Sequence, residues 1–469
     1  MKKFFFLITL FTFTVPAVRA VFAASVSDSS FFTENEDERR RRELRRFVSG
    51  ASIYSEASLE SRDAENLLQG QIVPNDTYYR TRNSWGQGTD DLWGLKKINV
   101  ERAWDSYRGA GIRIAIVDSG TYWHDDIASN VWQNAAEVNG RAGFDDDGNG
   151  FVDDVRGWDF VNDDNVPTDE YGHGTHVGGI AGAVGFNSKG ILGVAPSAKI
   201  MRLRVLDASG GGSVSKIASA IRYAARMGAK VINMSFGGVI DSAGRSTLIE
   251  AVRYAHSRGS ILVAAAGNGG SSVDDFSPAN LDYVLSVGAT DALDRRADFS
   301  NFGSKLDFMA PGVDILSLGT SATNIGTAVS SNYYYASGTS MAAPYVSGAI
   351  ALLLNRYPGA DVFRVKNLLA KGAVDLGTPG FDNFYGFGRI DVGRSMGFTA
   401  TSASSTSSTS SSKTSVPART VSSAQAATLA SIADRTELHA RLASERRDLA
   451  PYRGPVDAPS EDPRKALSV

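Results

Sequence analysis

The sequence predicts an α/β fold, a mostly parallel sheet with helices on both faces, and three observations carry that prediction. Four apolar runs have the length and branched content of buried strands: Gly111–Val117, Lys199–Leu206, Lys230–Met234 and Ser260–Ala266. Helical periodicity falls between them, at Val214–Met227 and Ser246–His256. Strand, helix, strand alternation implies parallel pairing under two layers of helix. Polar or glycine-rich residues follow each strand: Asp118 the first, Ser209-Gly210-Gly211-Gly212-Ser213 the second, Ser235 the third and Asn268 the fourth. In an open parallel sheet those positions share one edge, where ligands and reacting groups collect.

The flanks differ from this body. With 469 residues, 42% hydrophobic and 21% charged, the chain can build one large core with appendages. Met1-Lys2-Lys3, the apolar stretch Phe4–Val15 and the small residues Ala20, Ala23 and Ala24 have the charge, length and ending of a secretory signal, assigned to residues 1–24. About a dozen apolar residues is short for a membrane span, so the expectation is a secreted, extracellular protein with no transmembrane anchor in the mature chain. The chain contains no cysteine, which excludes disulfide staples, thiol catalysis and thiolate metal sites. Residues 25–70, with the run Glu34–Arg46, read either as a solvated charge run or, from their place between signal and body, as the expected processed pro-segment that the body binds. The body itself spans residues 71–397. Residues 398–420 are a Ser/Thr-rich linker, too polar to build a core. Residues 421–469 form a C-terminal tail, partly helical on the spacing of Leu429, Ile432, Leu438, Leu442 and Leu449. The net charge of −3 offers no general attraction for nucleic acid, so protein or peptide substrates or a small molecule are expected, acted on by a monomer.

Chemistry concentrates in a few glycine-flanked segments. Gly338-Thr339-Ser340-Met341-Ala342-Ala343-Pro344 opens an apolar helical run, placing a hydroxyl among the unpaired N–H groups of a helix start. Taken alone, such a serine is most often a cap. Of five histidines, His439 lies in the tail, His256 near a helix end and His124 in a polar turn. His173 and His176 lie in Gly172-His173-Gly174-Thr175-His176, with no glutamate between them of the kind that a zinc-binding helix carries, so His173 is the candidate base and His176 a packed partner. Asp118 could orient His173 or cap a turn, and Asn268-Gly269 could aim an amide at an oxyanion or form a simple turn.

Together and in this order, aspartate, histidine, asparagine and serine resemble the subtilisin-like serine protease family over about Pro74–Met396. The resemblance implies a zymogen whose Ser340 is the nucleophile, His173 the general base and then acid, and Asp118 the orienting carboxylate. Asn268 and the Ser340 N–H would hold the oxyanion. It also implies that Gly210, Gly211 and Gly212 on one side, and Ser235, Phe236 and Gly237 on the other, hold an extended peptide between two backbone segments. The pro-segment is shorter than the family's usual chaperone domain.

Between Asp118 and His173, the run Asp145-Asp146-Asp147-Gly148-Asn149-Gly150-Phe151-Val152-Asp153-Asp154 has the oxygen spacing of an EF-hand-type calcium loop. Asp145, Asp147, Asn149, Phe151 and Asp153 are the expected ligands of a structural calcium. Arg156 stands where a closing bidentate glutamate belongs, so Asp153, Asp154 or more distant residues must complete the set.

Overall fold

The computed structural model describes residues 72–320, 323–398 and 466–468, all within the unit Glu65–Val469. The expected signal, pro-segment, Ser/Thr linker and tail helix lie outside the described residues. Twelve strands are described: β1 (Arg113–Asp118), β2 (Gly157–Asp159), β3 (Lys199–Arg204), β4 (Gly211–Ser213), β5 (Val231–Met234), β6 (Ile261–Ala265), β7 (Val284–Thr290), β8 (Phe308–Pro311), β9 (Ile315–Leu318), β10 (Thr327–Ser330), β11 (Tyr333–Ala336) and β12 (Ala466–Ser468).

Seven of these form one sheet in the order β2-β3-β1-β5-β6-β7-β8, with every neighbouring pair parallel. The β1 segment lies between β3 and β5, with Ile114 in register with Ile200 on one side and Val231 on the other. Its residues from Ile114 to Asp118 are all buried, so the strand reads as a continuous apolar run and not as an alternation. Ile114 and Ile116 pack with Val177, Ile180 and Ile350, whereas Ala115 and Val117 join the cluster containing Ile217, Ile221, Leu248 and Val252. The two faces of one strand thus feed two separate apolar layers.

The first layer holds the histidine helix (His173–Gly182) and the serine helix (Thr339–Arg356); the second holds the helices Val214–Arg226 and Ser242–Ser257. The last of these starts a turn earlier than its apolar pattern indicates, because the Asp241 side chain accepts from the Gly244 N–H at 2.7 Å and caps it. The serine helix is buried from Thr339 to Leu354, which explains its lack of an amphipathic pattern. Among the described residues, no helix is long and apolar enough to cross a membrane.

The glycine loop after β3 holds a strand that its sequence does not announce. This is β4, which pairs antiparallel with β12 at the far end of the chain.

Candidate active site

Asp118 ends β1 fully buried, and its Oδ1 accepts from His173 Nδ1 at 2.7 Å and from the Ser119 N–H at 2.8 Å. A carboxylate only accepts, so the imidazole proton sits on Nδ1 and the Nε2 lone pair is free to take a proton. His173 is itself 3% exposed, which keeps the pair away from water.

The ring is positioned by the start of its helix. Asp169, missed in the sequence, collects five donors there: the Tyr171, Gly172 and Thr175 N–H groups at 3.0, 2.7 and 2.8 Å and the Ser119 and Thr175 hydroxyls at 2.8 and 2.6 Å. Burial pushes its carboxyl upward, while these hydrogen bonds pull it down. Gly174 lets the helix approach β1: a Cβ there would sit 2.1 Å from the Gly120 carbonyl oxygen. His176, one turn on, hydrogen-bonds the Tyr334 carbonyl through Nε2 at 3.0 Å and is driven down to about 3, first by burial and then by the charge of His173. It is a packed neutral residue. His124 is buried and bonded at both nitrogens, to the Asn332 carbonyl and the Asp126 N–H, and His256 stacks on Tyr283 at 4.1 Å. Neither is a second base at this edge.

Ser340 occupies the second position of its helix. Four residues later Pro344 lacks an N–H, so the Ser340 carbonyl has no helical donor. The Ser235 hydroxyl fills that role at 2.8 Å, and Asn233 Nδ2 donates in turn to the Ser235 hydroxyl at 2.9 Å. Ser347 closes the chain by donating to Asn233 Oδ1 at 2.8 Å, locking the serine helix to the end of β5. The Ser340 hydroxyl donates to the Ser235 carbonyl at 2.8 Å. In this conformation no hydrogen bond joins it to His173 among the described residues.

Asn268 follows β6 and is exposed at its tip. Its Oδ1 accepts from the Thr339 N–H and hydroxyl, both at 2.9 Å, which turns its Nδ2 away from that contact. A Cβ built on Gly338 would lie 3.5 Å from Asn268 Nδ2 and 3.6 Å from the Ser340 nitrogen. Both nitrogens therefore border the space beside Gly338, where a Cβ would touch them at van der Waals distance. Backbone torsion does not impose glycine here, since φ is 163° and extended.

The two segments expected to hold an extended peptide follow β3 and β5. Gly210 has φ +81°, and a Cβ on Gly212 would meet Leu206 Cδ2 at 2.6 Å. A Cβ on Gly237 would meet Phe276 Cε1 at 2.3 Å. The Phe236 side chain is 1% exposed, with its ring in the core.

A model of the subtilase family matches residues 109–388, a span running from just before β1 to beyond the serine helix. The chain belongs to the subtilase family. It is 38% identical over 335 residues to a thermophilic serine proteinase of Bacillus sp. (strain AK1), covering 71% of each chain. It is 40% identical over 293 residues to thermitase of Thermoactinomyces vulgaris, covering 62% of this chain and 89% of that one. A solved protease from Pseudoalteromonas arctica PAMC 21717 superposes with a TM-score of 0.57 at 29% identity, over 69% of this chain and 99% of that one. This subtilase is a serine endopeptidase, a hydrolase.

The acidic loop of this subtilase is grouped differently from its sequence spacing. Asp145 accepts from the Asn149 and Gly150 N–H groups at 3.0 and 2.6 Å, Asn149 Oδ1 accepts from the Phe151 N–H at 2.7 Å, and Asp153 accepts from the Gly143 N–H at 2.7 Å. These contacts fold the loop upon itself. The oxygens that converge within 4.8 Å belong to Asp147, Glu137 and Asp154, the last two at 5% and 0% exposure. Burial raises both the Glu137 and Asp154 carboxyls, and each is raised further by a neighbouring carboxylate. Three acids held this close, two away from water, fit a hard divalent cation. Glu137 was missed because it comes from a separate helix, Ala135–Val138.

Proposed function

We propose that this subtilase is an exported endopeptidase that cuts extended segments of protein substrates by acyl transfer through Asp118, His173 and Ser340. The buried 2.7 Å contact between His173 Nδ1 and Asp118 carries the reading, because it leaves a basic nitrogen at the strand edge that also bears Ser340. The Ser340 hydroxyl turns from the Ser235 carbonyl to His173 Nε2 and gives up its proton as Oγ attacks the scissile carbonyl. The Asn268 amide and the Ser340 N–H bind the developing oxyanion at the space beside Gly338. His173 then protonates the departing amine, and water attacks the acyl-enzyme with His173 again as base. Asp118 holds the imidazolium in each half-reaction.

Gly210–Gly212 and Ser235–Gly237 take the substrate as an added strand, which suits unfolded segments. Glu137, Asp147 and Asp154 hold a calcium ion, supplemented from Asp145, Asn149, Phe151 or Asp153 as the loop allows. Its role is structural: it cancels mutual repulsion between buried acids. Residues 1–24 direct export to the extracellular medium and residues 25–70 are removed from a zymogen; the mature protein works as a monomer. Casein digestion by wild type, and its disappearance in a folded Ser340→Ala variant, tests the reading. Digestion that survives Ser340→Ala overturns it.

A further inference from the structure

The strand at the far C-terminus lies where a substrate strand would. Ala466, Leu467 and Ser468 pair antiparallel with Ser213, Gly212 and Gly211. The Leu467 side chain is fully buried, in the apolar cluster that includes Leu206, Val214 and Phe236. Its Cδ2 comes within 3.3 Å of the position a Cβ would take on Gly238, the residue after Ser235–Gly237. The segment therefore has main-chain pairing with one gripping segment and its apolar side chain beside the other. This is the addressing of an added strand: backbone bonds for affinity, an alternate side chain in an apolar site for choice.

The polarity is fixed by the pairing. Antiparallel pairing runs the segment toward the Gly211 end of β4. There the Gly211 carbonyl accepts from the Asp207 N–H at 2.8 Å, next to Val205 and Leu206, whose N–H groups bond the Asp118 carbonyl at 2.7 and 3.2 Å. The segment, read from Ala466 to Ser468, thus runs toward the catalytic rim. A substrate segment leading up to a scissile bond at that rim would run in the same direction.

From these contacts we infer that Ala466–Ser468 is an intramolecular inhibitor that occupies this chain's own substrate groove as an added strand, with Leu467 as the anchoring side chain. The inference rests on the assignment of Gly210–Gly212 and Ser235–Gly237 as that groove. Attachment to the body keeps the segment at an effective concentration on the order of millimolar. For a short strand with a dissociation constant of about 0.1 mM, competing peptides would bind about tenfold more weakly to the full chain.

The test uses a fluorescent peptide of residues Arg464–Val469 and the full chain carrying Ser340→Ala, so that cleavage plays no part. The same protein shortened to end at Lys465 should bind the peptide about tenfold more tightly, and Leu467→Asp in the full chain should match the shortened form. In the active enzyme, the shortening should lower KM for a peptide substrate with kcat unchanged. Equal peptide affinity in full and shortened chains, or no binding to either, overturns the inference. Failure of the hydrolytic assignment reads differently: casein digestion would then persist in Ser340→Ala, while the peptide could still distinguish the two chain lengths.

Discussion

Ser235 and Ser340 are joined by two reciprocal hydrogen bonds, each hydroxyl donating to the other residue's carbonyl at 2.8 Å. Pro344 makes the arrangement necessary, since it withholds the helical N–H that the Ser340 carbonyl would otherwise receive. Ser235→Ala should leave that buried carbonyl without a donor and cost about 1–3 kcal/mol in urea unfolding. Adding Pro344→Ala should recover part of the loss by restoring the N–H. Unchanged stability in the single variant, or additive losses in the double, would show that the proline does not create the demand.

Asn268 Nδ2 and the Ser340 nitrogen flank the space left by Gly338. Subtilisin supplies the magnitude for removing one oxyanion donor, about 10²–10³ in turnover, and Asn268→Ala should lose that much while remaining folded. Gly338→Ala should also lower kcat, by filling the space with a methyl group, because its extended φ of 163° imposes no backbone penalty. Wild-type kcat in either variant would remove the space beside Gly338 from the mechanism.

The three converging carboxylates make a prediction that separates spacing from geometry. Asp147→Ala should shorten the half-life at elevated temperature in calcium and have no effect in chelator. Glu137→Gln should weaken calcium binding about tenfold or more, read by titration of the purified protein. If only Asp145→Ala and Asp153→Ala weaken it, the ion follows the linear loop spacing instead of the cluster with Glu137 and Asp154.

His176 predicts a pH dependence. Burial holds its folded pKa at about 3, against the ordinary histidine value of 6.5, so the unfolded chain takes up a proton below pH 6.5 that the folded chain refuses. Its contribution to stability is complete above 6.5 and declines as pH falls toward 3, by about 1.4 kcal/mol per pH unit at the steepest. His176→Gln keeps an amide donor for the Tyr334 carbonyl and cannot titrate, so the difference in urea midpoint between the two proteins should change across pH 6.5 to 4. A constant difference would mean that His176 accepts a proton in the folded state.

The parallel sheet and the strand-end positions of Asp118 and Asn268 were legible in the sequence because such residues share an edge whatever the loops do, while His173 and Ser340 were legible as residues at glycine-flanked helix starts. Serine-helix burial was legible too, in its unbroken run of small and apolar residues. Asp169 was not legible, because an acid before a helix looks the same whether it collects one donor or five. Asp154 was among the acids the loop spacing offered, whereas Glu137 joins Asp147 and Asp154 only through the fold of the short helix Ala135–Val138 onto the loop. The strand at 466–468 has too few residues for any period, and its partner is more than two hundred positions away; only β4 marks it as a strand. Local pattern carried the elements, and long-range contact decided which polar groups meet.

The catalytic account is tested most directly by labelling with a serine-directed phosphonylating reagent, followed by peptide mapping in wild type and in His173→Ala. One equivalent on Ser340 in wild type, with labelling slowed by orders of magnitude in the variant, is the predicted result. Label on another residue, or an equal rate on Ser340 without the imidazole, would contradict the transfer of its proton to His173.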